Sequence, residues 1–591
     1  MRLRPLDWIW VAGYLLATFV VGLYFRRRSG SSTADYYVSG RQTKWWLAGT
    51  SMVATTFSAD TPLVVTGLVY RYGIAGNWLW WSFLPSGMLT VFLFARLWRR
   101  SGLLTDVAFT EMRYSGRPAA FLRGFRAIYL GLLMNVIILG WVTKAMTLVL
   151  SVALGISERS ALVICLAGLI PFTGLYVSLG GLWGVLWTDL FQFVLKMGVV
   201  IAVGFYAVRA AGGTAAMLAR LAGTPATHFF PDFSSGLTTQ ALWALPPLTF
   251  CVYLGVQWWA FWYPGAEPGG GGYVAQRIFS ASDERQGVLS ALWFNFAHYA
   301  LRTWPWAVAA LAVVALYPRL AEPEAGYMLV ATEHLPAAWG GLLVAGFLAA
   351  FMSTLATHLN WGSSYLVVDF YRRFLRPEAP ERHYVNVSRL VVVPLLVVAA
   401  GWVSWELTSI RTGWEAVLEI GAGTGGVYLL RWYWWRVNAW SEIAAMGTAL
   451  AAWLFLRIAA PFHGSEPVVF AKTTLVTTAA TTIVWIAVTF LTPPEPRDKL
   501  ISFYRLVRPD ARGWHPVATQ ASDFAPPRDL GRNLGAWLLG CAMVYAALFG
   551  IGELCLIHWR SGIGLLAGSA LCAWLIFHFF LSPAAWRRQS P

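Results

Sequence analysis

Residues Trp45–Gly67 read WWLAGTSMVATTFSADTPLVVTG. The stretch is apolar and long enough to cross a bilayer, which takes about 20 such residues. Its centre, Thr55-Thr56-Phe57-Ser58-Ala59-Asp60-Thr61-Pro62, instead carries hydroxyls, a carboxylate and a proline. Proline removes a backbone donor and clashes with the preceding turn. An ionised Asp at membrane depth is costly unless it faces protein, water or an ion. A continuous lipid-facing helix is therefore excluded, and a helix broken at 55–62 that lines a polar site is expected.

The rest of the chain supplies the setting for that break. Its 591 residues are 58% hydrophobic, 16% aromatic and only 12% charged, with a mean hydropathy of +0.57. A soluble chain carries about 25% charged residues, so this is a polytopic membrane protein. The net charge of +16 is loop charge that sets topology rather than a nucleic-acid surface. Cys165, Cys251, Cys541, Cys555 and Cys572 lack metal-ligand spacing and read as small core residues. Met1–Phe25 ends in Arg26-Arg27-Arg28 without a cleavage site, so it is expected to be a retained helix rather than a signal peptide.

Apolar runs give about fifteen spans at the bilayer length: 7–25, 45–70, 78–98, 127–154, 160–178, 183–208, 240–263, 287–317, 338–369, 386–404, 412–433, 439–459, 468–491, 535–556 and 562–582. Five Lys or Arg lie in 26–44 and seven in 96–126, against one each in 71–77, 318–337 and 457–467. The rich loops belong in the cytoplasm, which puts the N-terminus outside and the C-terminus inside.

A second interrupted span lies at 240–277, where Pro264, Pro268 and Gly269–Gly272 cannot sustain a straight helix. Both breaks fall in the first helix of successive five-helix groups, 45–208 and 240–433, the arrangement of an inverted-repeat transporter. The expected layout is a leading helix and cytoplasmic loop (1–44), the first repeat (45–208) and an external loop (209–239). The second repeat (240–433), accessory helices (434–492), a cytoplasmic linker (493–533) and two appended helices with a tail (534–591) follow.

Several polar residues sit at membrane depth. Ala350, Ser353, Thr354 and Thr357 share one helical face, and such oxygens opposite the carbonyls of a broken helix suit a small hard cation. Ser and Thr in membrane helices also bond their own preceding turn, so both readings stay open for this helix. Asp189 lies two turns into an apolar helix as a cation ligand, a relay or half of an ion pair, with Lys196 at i+7 as its potential partner. Lys144 and Glu419 are also at membrane depth, either paired with each other or lining a solute path. Most of the 34 tryptophans are interfacial anchors; Trp258, Trp259 and Trp262 flank the second break and can stack on a ligand. There is no Walker A pattern, nucleophile elbow or H-E-x-x-H, so an enzyme or primary pump has no visible engine.

Five ordered motifs resemble the sodium:solute symporter family over roughly residues 7–460. They are Ala34-Asp35-Tyr36-Tyr37-Val38-Ser39-Gly40-Arg41, Trp45-Trp46 with Ser58-Ala59-Asp60, and Gly180-Gly181-Leu182 through Thr188-Asp189 and Gln192. The last two are Gln276-Arg277 and Ser353-Thr354-Leu355-Ala356 with Leu359-Asn360 and Asp369-Phe370-Tyr371. The resemblance implies an all-α, five-plus-five inverted-repeat (leucine-transporter-like) core with one extra leading helix. It also implies sodium as coupling ion, held by the carbonyls of Ala54, Phe57 and Ala350 and the hydroxyls of Ser353 and Thr354, with Asp189 as a supporting ligand or on the exit path. Solute candidates are Ser58, Asp60, Thr61, Asn135, Trp262, Gly271, Asn295 and Glu419. The polar residues by which sugar-transporting members hold their solute are not matched: Gly269–Gly272, Asn295 and Leu418-Glu419 stand in those places.

The expected function is thus sodium-coupled symport of a small organic solute by alternating access. A proton-coupled transporter of the same fold, using Asp60, Asp189 or Glu419, is the alternative, followed by a solute-sensing membrane protein. A membrane transferase with its site in 209–239 would have only His228 and Asp232 to work with. A second sodium site near Asp189 would draw on Thr357 and Asn360.

Overall fold

The computed structural model describes every residue except 1–2, 235, 239–241, 262–266, 404–413, 415–416, 522–526, 583–585 and 587–591. The described residues are helical, with one isolated parallel bridge between Thr43 and Ala281. Among the described residues, eleven helices are long and apolar enough to span a membrane, and a twelfth span is bent. We label the elements that position the site α1 (Pro5–Phe25), α2 (Trp45–Thr56), α3 (Thr61–Tyr72), α4 (Ile74–Ser101), α5 (Gly116–Leu154), α6 (Glu158–Ala210), α7 (Pro247–Val252), α8 (Gly272–Ser280), α9 (Glu284–Leu316), α10 (Ala337–Leu375), α11 (Glu381–Val403) and α12 (Gly425–Tyr433). The accessory elements are α13 (Ala439–Ala459), α14 (Glu466–Leu491), α15 (Arg497–Val507), α16 (Leu530–Cys555) and α17 (Trp559–Leu581).

The expected break is present: α2 and α3 meet at 58°. Phe57 leaves helical geometry at φ −97°, ψ 76°, and Pro62 sits in the first turn of α3, where its missing N–H costs nothing. A second discontinuity divides α6 at Gly181, whose φ of +51° is left-handed backbone that glycine adopts without steric cost. The carbonyl of Tyr36 approaches so closely that an added Cβ would lie 2.8 Å from it. The Gly180-Gly181 pair thus turns one 53-residue helix into two spans.

The interior is organised by α6 and α10, which pack on each other; α1 lies across both, and α9 packs on α2, α3 and α6. The α10 helix is almost wholly enclosed, whereas α1 turns Leu6, Ile9 and Leu16 outward, as a lipid-facing helix does. The two helices beyond residue 529 differ from each other. α16 docks on the core, with Trp304 donating to the Leu548 carbonyl at 2.7 Å and Trp537 to that of Pro85 at 2.8 Å; α17 packs chiefly on α16.

Residues 497–521, expected as linker, form a packed unit. The ring of Trp514 stacks on Phe503, its Nε1 donates to the Trp432 carbonyl at 2.8 Å, and Arg113 lies over its face. Lys144 pairs with Glu158 at 3.2 Å, not with Glu419, which accepts from Trp453 Nε1 on α13 at 3.0 Å.

Candidate functional site

The break frees backbone carbonyls that a continuous helix would consume. Those of Ala54 and Thr55 point at α10, where Ser353 and Thr354 meet them, and that of Phe57 points at α6. Ser353 Oγ lies 3.1 Å from both the Ala54 and the Ala350 carbonyl. Thr354 Oγ1 donates across to the Thr55 carbonyl at 2.7 Å and lies 3.3 Å from Ala350 O. One turn on, the Thr55 and Thr357 hydroxyls are 2.8 Å apart. The oxygen face of α10 is therefore directed at the break.

The centre of this oxygen cluster holds the side chain of Lys196, from the second half of α6. Its Nζ donates to Ala54 O at 2.6 Å, Phe57 O at 2.8 Å and Ser353 Oγ at 2.8 Å. Asp189 belongs to a different cluster. Its Oδ2 accepts from Ser51 Oγ at 2.5 Å and lies 3.8 Å from Arg277 Nη2. Arg277 also reaches Ser51 at 3.2 Å and Thr357 at 2.7 Å. Gln276, beside it, donates to Asn360 Oδ1 at 2.9 Å. All of these side chains are buried.

Against the other side of the break lies a cavity lined by residues of α2 through α5, α8 to α10 and the stretch before α12. Ser58, Asp60 and Thr61 open into it beside aromatic walls that include Trp80, Trp141 and Tyr299. Asp60 Oδ2 accepts from Trp414 Nε1 at 2.8 Å. His298 and Arg302 also line the cavity. Thr56 Oγ1 lies 3.0 Å from His298 Nδ1, which also accepts from Arg302, and Arg302 reaches the Val53 carbonyl at 3.2 Å.

The other solute candidates are placed elsewhere. Asn135 is tied to α10, donating to the His358 carbonyl at 2.9 Å and meeting His358 Nδ1 at 2.8 Å; it positions a cavity residue without lining the cavity. Asn295 faces Gly87, where an added Cβ would lie 1.8 Å from its Oδ1, and Glu419 turns to α13. Gly271 sits over Glu267, close enough that a Cβ would clash at 1.9 Å. Trp262 lies outside the described residues. The roles of His298, Arg302 and Arg277 were not anticipated. For His298 and Arg302 the only signal is an ionisable residue close to an apolar span, and for Arg277 its place in the Gln276-Arg277 motif; neither identifies a partner.

The fold matches that of a sodium-coupled sialic acid symporter solved in a substrate-bound outward-open state, with a TM-score of 0.68 at 19% identity, covering 83% of this chain and 98% of that one. The profile of the sodium:solute symporter family matches residues 36–449. The chain belongs to that family. Curated relatives include the sodium/glucose cotransporter of Vibrio parahaemolyticus, 26% identical over 75% of this chain and 83% of the relative. Another is the sodium/sialic acid symporter of Proteus mirabilis, 24% identical over 78% and 92%. Membership in the sodium:solute symporter family makes this multi-pass membrane protein a secondary transporter of the sodium-coupled symporter class, built on the all-α inverted-repeat architecture.

Proposed function

We propose that this symporter takes up a small organic solute through the cavity at the α2–α3 break, by alternating access in the bacterial inner membrane. The observation that carries the reading is the cavity's position. It abuts the interruption of the first core helix, and its walls come from both five-helix groups, so rocking one group against the other changes which side it opens to. One carboxylate, Asp60, and one guanidinium, Arg302, stand among aromatic faces. This combination suits a solute with an apolar ring or chain and one or two polar groups. The relatives named above are named for glucose and sialic acid, but the residues facing this cavity favour neither.

The layout supporting this reading is the pair of repeats at 45–208 and 240–433, with the arginine-rich loops 26–44 and 96–126 in the cytoplasm and the N-terminus outside. Accumulation of a solute by reconstituted vesicles, driven by an imposed cation gradient and lost in Asp60→Ala, is the expected result. If sugars, sialic acids, amino acids and nucleobases all fail to accumulate under sodium and proton gradients alike, the reading is overturned.

A further inference from the structure

Lys196 lies in the second half of α6 and is 1% exposed. An ammonium has three donors and no acceptor, and all three have partners: Ala54 O, Phe57 O and Ser353 Oγ, at 2.6, 2.8 and 2.8 Å. The ring of Phe57 adds its face, with the centroid 5.0 Å from Nζ. Ser353 fits this role, because its own proton can go to the Ala54 or Ala350 carbonyl, each 3.1 Å away, leaving its lone pairs to Nζ. Among the described residues no carboxylate lies within ion-pair distance of Nζ, since the ion pairs of Asp189 and of the buried glutamates go to arginines. A buried ammonium held by neutral oxygens and a ring is coordinated as a small hard cation would be.

These are three of the five oxygens that the family resemblance gives to sodium. A free sodium ion does not fit beside the ammonium. Two positive charges would sit within one oxygen cluster, and three of the five expected ligands, the Ala54 and Phe57 carbonyls and the Ser353 hydroxyl, are already turned to Nζ. A lysine on the face of α6 opposite the break supplies the charge covalently.

We propose that Lys196 is a tethered cation that replaces sodium at this site. It joins the broken helix to α10 without an ion from solution, so this location does not couple transport to sodium. The consequence for transport rests on the function proposed above, but the test needs no solute. A failure to find transport and a failure of this assignment are therefore distinguishable.

The test is thermal unfolding of the full-length protein in detergent, in sodium chloride against choline chloride at equal ionic strength, with ²²Na⁺ binding measured alongside. Wild type and Ser353→Ala are expected to respond equally to sodium, because sodium acting elsewhere would affect both alike. Lys196→Ala vacates the cluster and is expected to gain a saturable sodium-dependent rise of several degrees, together with ²²Na⁺ binding. Both gains should vanish in Lys196→Ala/Ser353→Ala. Sodium stabilisation of wild type that Ser353→Ala removes would overturn the assignment. So would a folded Lys196→Ala that gains no sodium response. If Lys196→Ala does not fold, the comparison of wild type with Ser353→Ala decides alone.

Discussion

Arg126 of α5 and Glu442 of α13 meet at 3.1 Å, and neither side chain has any exposed surface. The pair is part of a buried lattice of two guanidiniums and two carboxylates. Arg431 of α12 reaches Glu267 at 3.1 Å and Glu442 at 3.5 Å, Arg126 lies 3.8 Å from Glu267, and Tyr114 donates to Glu442 at 2.6 Å. Charges of both signs balance, which is the condition under which buried ions are tolerated. Three distant stretches of the chain, 114–126, 267 and 431–442, are thereby joined at one point.

Glu442→Gln should therefore be costly, because it leaves two guanidiniums to one carboxylate in the protein interior. Removing one partner of a buried pair costs about 3–5 kcal/mol. Thermal unfolding in detergent is expected to show a loss of many degrees, while a double replacement of Arg126 and Glu442 by Met and Leu should lose less than the single change. A Glu442→Gln protein that unfolds within a degree of wild type would show that the lattice contributes little.

Gly181 offers a sharper local test, because its backbone is left-handed and the Tyr36 carbonyl lies against it. Left-handed geometry costs an L-residue roughly 1–2 kcal/mol, and the approach of Tyr36 adds a steric clash. Gly181→Ala should lower the yield of folded protein and its unfolding temperature. Gly184→Ala is the control, since its Cβ would find only the Gly22 Cα, at 3.9 Å. Equal behaviour of the two variants would remove the argument that the Gly-Gly pair is there to turn α6.

What was legible in the chain follows from this contrast. The break at 55–62 could be read because a continuous lipid-facing helix cannot hold both a proline and a carboxylate at its centre. The face of Ser353 and Thr354 could be read because helical spacing is local. Lys196 could not be read. Its spacing of seven from Asp189 suggests an ion pair on one helix face, but seven residues rise about 10.5 Å along the axis. Asp189 instead meets Arg277, from a helix 88 residues away, and Lys196 turns to carbonyls, which spacing does not reveal. For Glu419 and Asn295, the side each faces is decided by Trp453 and Gly87 on other helices. The stretch 493–533 looked like a linker because proline marks its edges, whereas Phe503 and Trp514 between those edges pack it against Trp432.

Stability should depend on acid pH through Glu111, in the short helix before α5. Partial burial pushes its carboxyl up, but hydrogen bonds from Arg373 and Arg123 outweigh that and hold it below the usual glutamate range. Arg373 grips both oxygens at 2.8–2.9 Å, and Arg123 donates at 2.7 Å. A carboxylate depressed in the folded state stabilises fully above its unfolded value and loses that contribution as pH falls through the folded one. Glu111→Gln should thus be destabilised by about 1–2 kcal/mol at neutral pH. Its gap to wild type should be flat from pH 6 to 8 and close below about pH 4.5. A gap that persists unchanged to pH 3 would contradict this account.

Asp60 carries the last prediction, because two roles for it can be told apart. Its Oδ2 accepts from Trp414 Nε1 at 2.8 Å, and its carboxylate borders the cavity. If its charge engages the solute, Asp60→Asn should lose binding even though an amide oxygen can still accept from Trp414, while Trp414→Phe should bind nearly as well as wild type. If instead Asp60 only fixes Trp414, Trp414→Phe should do as much harm as Asp60→Ala, and Asp60→Asn should be mild. The first pattern is expected, since a carboxylate is a costly way to hold one indole when a neutral acceptor would serve. Losing a charged hydrogen bond to solute is worth about 1.5–3 kcal/mol, or roughly a ten- to hundredfold weaker affinity. The readout is the solute-induced rise in unfolding temperature, titrated for each variant with the solute that vesicle uptake identifies. Asp60→Asn binding within twofold of wild type would rule out the charge as a solute contact.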